Sequence, residues 1–346
     1  MQDLWRKIQA KIDRIDFDAL WRGFRPFPFA FYDDKSVVFS DRVLPWDVRF
    51  LGNTAIDWEG SPLAIWKIES PEPADEDVLA SKLVHEMFHA FQKASGETRW
   101  ADELNQGLRY RYHPDNLCLK FMEDFHLCGF LTSFSFETWQ ILLSVRNGRA
   151  QRFPEEVDYE ARIETIEGMA EYIELRALRV LDEGKYQRSL QRIVETLNDP
   201  AQLFPIRSVC YHSGAVMCVL ADRHGLAIRH EIGKEPRTID RLLADGIPAR
   251  IRPVKIQSVI TELDRFLAQR KETLDGFLRR AETDLEGNFP LVGMDPMNTF
   301  VQDDRIYFRN FIGYMDTDGP KVILGEGVGA LDPDFHLRRI YRERGK

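Results

Sequence analysis

His85, Glu86 and His89 carry the densest potential chemistry in this 346-residue chain. Residues four apart on an α-helix lie one above the other on the same face, so His85 and His89 can grip one divalent ion. Glu86 is offset by one position. It can reach water in an open coordination position without being a ligand itself. The same three side chains buried without a metal would place two imidazoles and a carboxylate in a core, a costly combination.

The segment that must carry them is an amphipathic helix over 75–92. Val78, Leu79, Leu83, Val84, Met87, Phe88 and Phe91 give it a broad apolar face. Pro71 and Pro73 precede it, Asp75, Glu76 and Asp77 suit the positive end of the helix dipole, and Gly96 is a stop signal. Between Leu83 and Phe91 the only charged residue is Glu86.

A catalytic zinc usually takes three protein ligands and leaves a position for water. A third His spaced as H-E-x-x-H-x-x-G-x-x-H is closed here, because Gln92 and Ser95 occupy the Gly and His positions. The best remaining donor lies on a second helix over 163–180. There Ile163, Ile166, Ala170, Ile173, Ala177 and Val180 make a buried stripe, and Glu164, Glu167, Glu171 and Glu174 line its edge. Glu164 and Glu174 read as a solvated row. Glu167 is the predicted ligand, because Gly168 removes a side chain where another helix can approach. Glu171, one turn on, is predicted to hold the free nitrogen of a metal-bound His.

His85-Glu86-x-x-His89 followed by Glu167-Gly168-Met169-Ala170-Glu171-Tyr172 resembles the gluzincin group of zinc metallopeptidases, to which thermolysin belongs. The resemblance covers about residues 50–225, and its specific parts are those two motifs. It implies a zincin-like fold, Zn2+ held by His85, His89 and Glu167, and hydrolysis of a peptide or protein substrate with Glu86 as the base that activates water. The step from His89 to Glu167 is longer than in thermolysin, and substrate preference does not carry over. The developing oxyanion would need a further donor. Arg207, Tyr211 and His212 lie near the start of a helix whose Gly214 permits close packing, and Tyr211 and His212 are the candidates.

Two rival readings remain. Glu86-x-x-His89 and Glu123-x-x-His126 are both steps that di-iron carboxylate bundles use. That reading leaves His85 without a role. The other is a peptidase fold kept as a catalytically silent binding or regulatory module, against which the intact Glu86 argues.

The net charge of −9 and pI near 5.5 argue against nucleic-acid binding. The basic runs at 146–152 and 338–346 lack interleaved aromatics and read as solvated faces. No apolar run approaches membrane-spanning length, and no secretory signal is visible, so a cytoplasmic location is expected. Cys118, Cys128, Cys210 and Cys218 read as reduced core thiols. The expected fold class is α+β in three parts. Residues 1–74 form a helix (1–20) and a β-rich region with a hairpin of strands 55–58 and 63–68. Residues 75–285 form the helical metal-binding body, with helices also over 101–111, 135–146, 155–183, 186–197, 205–223 and 253–283. Residues 286–346 form a β-containing extension with strands 305–308 and 321–324.

Overall fold

In a computed structural model, described for residues 1–69, 75–226, 228 and 230–343, the chain is an α+β protein with two sheets against a helical body. The positions of Pro71 and Pro73 and the last three residues lie outside the described residues. Helices α1 (Gln2–Ile12) and α2 (Phe17–Leu20) replace the single N-terminal helix; α1 ends at the cap residue Asp13, and Asp16 caps α2 by accepting from Ala19 N. Strands β1 (Phe29–Tyr32), β2 (Ser36–Val38), β3 (Val43–Pro45), β4 (Thr54–Trp58) and β5 (Ser61–Lys67) form a sheet in the order β3-β2-β1-β5-β4, leaving β4 at an edge. The expected hairpin is β4–β5, in register Trp58 to Ser61. Its two loop residues, Glu59 and Gly60, have φ of 52° and 80°, the left-handed pair that matches strand twist.

The body comprises α3 (Glu76–Ala94), a π-turn at Glu103–Gly107, α4 (Pro114–Phe130), α5 (Phe136–Arg152), α6 (Pro154–Leu181), α7 (Glu183–Leu197), α8 (Ile206–Arg223), α9 (Ile239–Leu243) and α10 (Gln257–Leu278). Helix α3 starts where expected: the Asp75 carboxylate accepts from Asp77 N and Val78 N at 3.1 and 3.3 Å. Gly96 ends it with φ +74°. Its buried face packs on α1, α6, β4 and β5. The predicted stripe on α6 is buried from Ile163 to Ala177, but Val180 is exposed.

Helix α4 was not expected, because charged residues interrupt the apolar pattern of its buried face, Lys120, Glu123 and Asp124 lying between Leu119 and Leu127. Lys120 Nζ donates to Asp124 Oδ1 (2.7 Å), Glu164 Oε1 (3.0 Å) and Ser213 Oγ (2.8 Å). Arg146 pairs with Glu164 and Glu123, and Arg149 with Glu123 and Glu160. Glu164 and most of the run 146–152 therefore do not form solvated faces: Glu164, Arg146 and Arg149 are buried in a network joining α4, α5, α6 and α8, and only Gln151 and Arg152 are exposed. Burial pushes Asp124 up to about 7 against the pull of Lys120. For Glu164 burial acts in the same direction, but Arg146 and Lys120 outweigh it and bring the carboxyl down to about 2. The signs differ in consequence. Glu164 contributes stability above its ordinary 4.5 that is lost as pH falls toward 2, whereas ionising Asp124 weakens the fold as pH rises from 3.8 through 7. Glu164→Gln is expected to destabilise by about 3–5 kcal/mol at neutral pH, since it leaves buried cations short of a partner. Asp124→Asn should be milder, since Lys120 keeps Glu164 as a partner, and should gain on the parent as pH rises from 3.8 to about 7. Urea unfolding across pH checks both; equal losses for the two variants would refute this assignment of charge.

The C-terminal part begins earlier than residue 286. Strand β6 (Ala281–Met294) is followed by β7 (Thr299–Gln302), β8 (Arg305–Phe308), β9 (Phe311–Asp316), β10 (Gly319–Leu324), β11 (Gly327–Leu331) and β12 (His336–Glu343). They form a seven-stranded sheet in the order β10-β9-β6-β12-β11-β8-β7. Strand β10, the expected strand 321–324, pairs with β9 from Gly319 opposite Asp316 onward, and not with β8. Gly325 serves as a turn residue ahead of β11 (φ +86°), while Gly327 and Gly329 lie within that strand. No helix among the described residues is long and apolar enough to cross a membrane, and all four cysteines are buried free thiols.

Candidate metal centre

Helices α3 and α6 bring His85, His89 and Glu167 together. His85 Nε2 and His89 Nε2 are 3.1 Å apart, and Glu167 Oε2 lies 2.9 Å from the second and 3.6 Å from the first. These separations straddle about 3.3 Å, the edge of a tetrahedron whose donors stand about 2.0–2.1 Å from a central zinc. This is the one group of three or more His, Cys, Asp and Glu donors with such convergence among the described residues. The donor set, two imidazoles and a carboxylate, fits zinc.

The far side of His89 is held as a metal site requires, and that of His85 faces a carboxylate without a hydrogen bond. His89 Nδ1 donates to Gln92 Oε1 at 2.8 Å, and Gln92 Nε2 donates to Ile166 O on α6. Gln92, at the position that closed the third-His option, thus orients the second imidazole. Glu174 Oε2 lies 3.2 Å from His85 Nδ1, an ion-pair contact off the N–H axis. The predicted role of Glu171 is therefore corrected. Glu171 accepts from His212 Nδ1 at 2.8 Å, and Glu174, expected to be solvated, faces His85. A shift of three residues keeps the same helix face, so spacing alone could not separate the two.

Glu167 sits where it does because α6 and α8 pack backbone to backbone. A Cβ on Gly168 would lie 2.5 Å from Gly214 Cα, so neither glycine tolerates a side chain. The contact brings Arg207 of α8 onto Glu167. Arg207 Nη2 donates to Glu167 Oε1 at 2.9 Å and Nε to Glu103 Oε1 at 2.9 Å, while Nη1 donates to Tyr211 Oη. Oε1 is thereby anchored, leaving Oε2 toward the imidazoles. Burial would raise the Glu167 carboxyl, but His89 and Arg207, with the hydrogen bonds from both histidines, hold it well below the ordinary range. Sequence reasoning placed Arg207 near the site but missed this role, since only the α6–α8 crossing reveals its partner.

Glu86 lines the same cleft, a cavity of about 840 Å³ whose walls come from the N-terminal sheet, the helical body and the C-terminal sheet. Its carboxyl has no hydrogen-bond partner among the described residues. Burial pushes it above the ordinary carboxylate range, the nearby His85 and His89 oppose the rise, and Glu167 and Glu174 add to it. Tyr211 also lines the cleft, its ring near-parallel to His85 with centroids 6.3 Å apart. Burial, then the Glu167 charge, holds its phenol well above its ordinary value, so it stays a hydroxyl. His212 is not brought into the cleft: its ring is held by both Glu171 oxygens.

The second E-x-x-H step does not form a metal site. Glu123 is neutralised by Arg146 and Arg149, and His126 is exposed on α4. Comparison with known protein families, curated proteins and solved structures finds no match.

Proposed function

We propose that the protein is a zinc-dependent metallopeptidase of zincin-like architecture. The reading is carried by one observation: His85, His89 and Glu167, 78 residues away from His89, converge at tetrahedral spacing beside an unengaged Glu86. When bound, zinc lowers the pKa of water to about 7 and polarises a carbonyl. Glu86 accepts the proton of the attacking water and passes it to the leaving amine. A raised carboxyl pKa suits that exchange, since a base poised nearer neutrality both takes and returns a proton. The Tyr211 hydroxyl donates to the oxyanion as charge develops there, and Arg207, which already donates to it, holds it in place. His212 has no part in these steps. β4 is an edge strand whose first residue, Thr54, lies with Asn53 on the cleft wall, where an extended peptide would run; Ala55 O is already taken up by Lys93 Nζ.

The test is digestion of a broad peptide library. Cleavage is expected with zinc, is lost on chelation and returns when zinc is restored. A protein that binds zinc and cuts no member would favour the silent binding module instead.

A further inference from the structure

A second cavity, of about 340 Å³, lies between the π-turn, α10 and the C-terminal sheet. It shares a wall with the metal cleft, formed in part by Arg207, Met297 and Arg309. Its charge is unlike that of the chain, which carries −9. Three guanidinium groups line it, Arg207, Arg270 and Arg309, against one carboxylate, Glu103. Glu103 is already taken up, accepting from Arg207 on one oxygen and from Tyr159 Oη on the other at 2.8 Å. Arg270 is half-buried and stacked among aromatic rings, with its guanidinium carbon 4.9, 4.2 and 4.8 Å from the centroids of Tyr112, Phe266 and Phe300. Its one hydrogen bond among the described residues is to Tyr112 Oη at 3.4 Å. Arg309 is exposed, lines both cavities and has no carboxylate partner among the described residues.

We propose that this cavity binds a carboxylate of the peptide substrate beside the metal cleft, with Arg270 and Arg309 as the recognising cations and the aromatic rings packing its apolar stem. Two forked cations without counter-charge suit a two-oxygen anion. The cavity's size suits one side chain or chain end rather than a folded partner. The carboxylate can come from an acidic side chain or from a C-terminus; both present the same chemistry. The peptide class rests on the peptidase reading, but the binding of a carboxylate does not.

Binding is therefore measured where nothing is cut, on the full chain carrying Glu86→Gln. Three acetylated pentapeptides built on Ala-Ala-Phe-Ala-Ala serve as probes: one with a free C-terminus, one amidated, and one amidated with a glutamate beside the phenylalanine. At least one carboxylate probe is expected to bind about tenfold or more tightly than the neutral amide. Which one wins identifies the source. The gap should shrink to under about threefold in Arg270→Gln/Arg309→Gln and narrow with added salt. Arg270→Lys, which keeps the charge, should retain more of the gap than Arg270→Gln, and exposed Arg309→Gln gives a variant whose folding is not at issue. Equal binding of all three probes, or a gap that survives the double substitution, overturns the proposal. Library cleavage indifferent to carboxylates would overturn it while leaving the peptidase reading intact. Carboxylate-dependent binding without any cleavage would do the reverse.

Discussion

Zinc-loaded protein carrying Glu86→Gln is expected to retain one metal ion per chain and to hydrolyse peptides about 10²–10⁴-fold more slowly than the parent. The substitution keeps the shape of the side chain and removes its ability to take a proton. Glu86 projects from α3 next to His85 but is not one of the three converging donors, so metal content should be unaffected. Its carboxyl accepts no hydrogen bond from any described residue, which leaves it free to meet water in the cleft. Metal analysis beside kcat on a cleaved library peptide separates the outcomes. Full activity would remove Glu86 from the mechanism; loss of zinc along with activity would make it a structural part of the site instead.

A graded series on the ligands should show the second large effect. His85→Ala and Glu167→Ala are each expected to weaken zinc binding by more than about 100-fold. Glu174→Gln should weaken it by about 10–100-fold, the range for a group that orients a ligand. The order follows from geometry: Glu167 supplies a donor atom, whereas Glu174 only faces the rear nitrogen of His85. Affinity should also fall with pH. Burial alone would make His85 harder to protonate, but Glu167 and Glu174 together hold its pKa well above the ordinary 6.5. Zinc must therefore displace a proton that persists to higher pH than on an ordinary imidazole, and binding weakens as pH falls through that range. Competition with a chromophoric chelator reads both effects. Undiminished zinc affinity in Glu167→Ala would exclude it as a ligand, and with it the convergence on which the functional reading stands.

The metal-site residues differ sharply in how visible they are in the amino-acid sequence. His85 and His89 sit four apart on one helix, so local geometry alone predicts their approach. Glu167 is separated from His89 by 78 residues that include all of α4 and α5, and its selection rested on Gly168, a backbone clue to a close helix crossing. The crossing exists, with Gly214 as its other half. The same reasoning did not distinguish Glu171 from Glu174, because both lie on the face of α6 turned toward the site and only the rotation of α6 against α3 decides which reaches His85. Helix α4 escaped for a different reason. Apolar periodicity assumes that buried means hydrophobic, and Lys120, Glu123 and Asp124 are buried by pairing instead.

What the linear order of residues determined by itself were the short-range features: the start of α3, the paired imidazoles with their adjacent carboxylate, the hairpin around Gly60 and two of the seven C-terminal strands. Each depends on neighbours within a few residues, where backbone geometry leaves little choice. Tertiary structure alone decided which carboxylates face the imidazoles, that Arg207 anchors Glu167, that His212 turns to Glu171, and that Arg270 and Arg309 share a cavity whose one carboxylate, Glu103, is taken up by Arg207 and Tyr159. These depend on the angles at which helices and sheets pack, and packing is set by the sum of many weak contacts that no local pattern records.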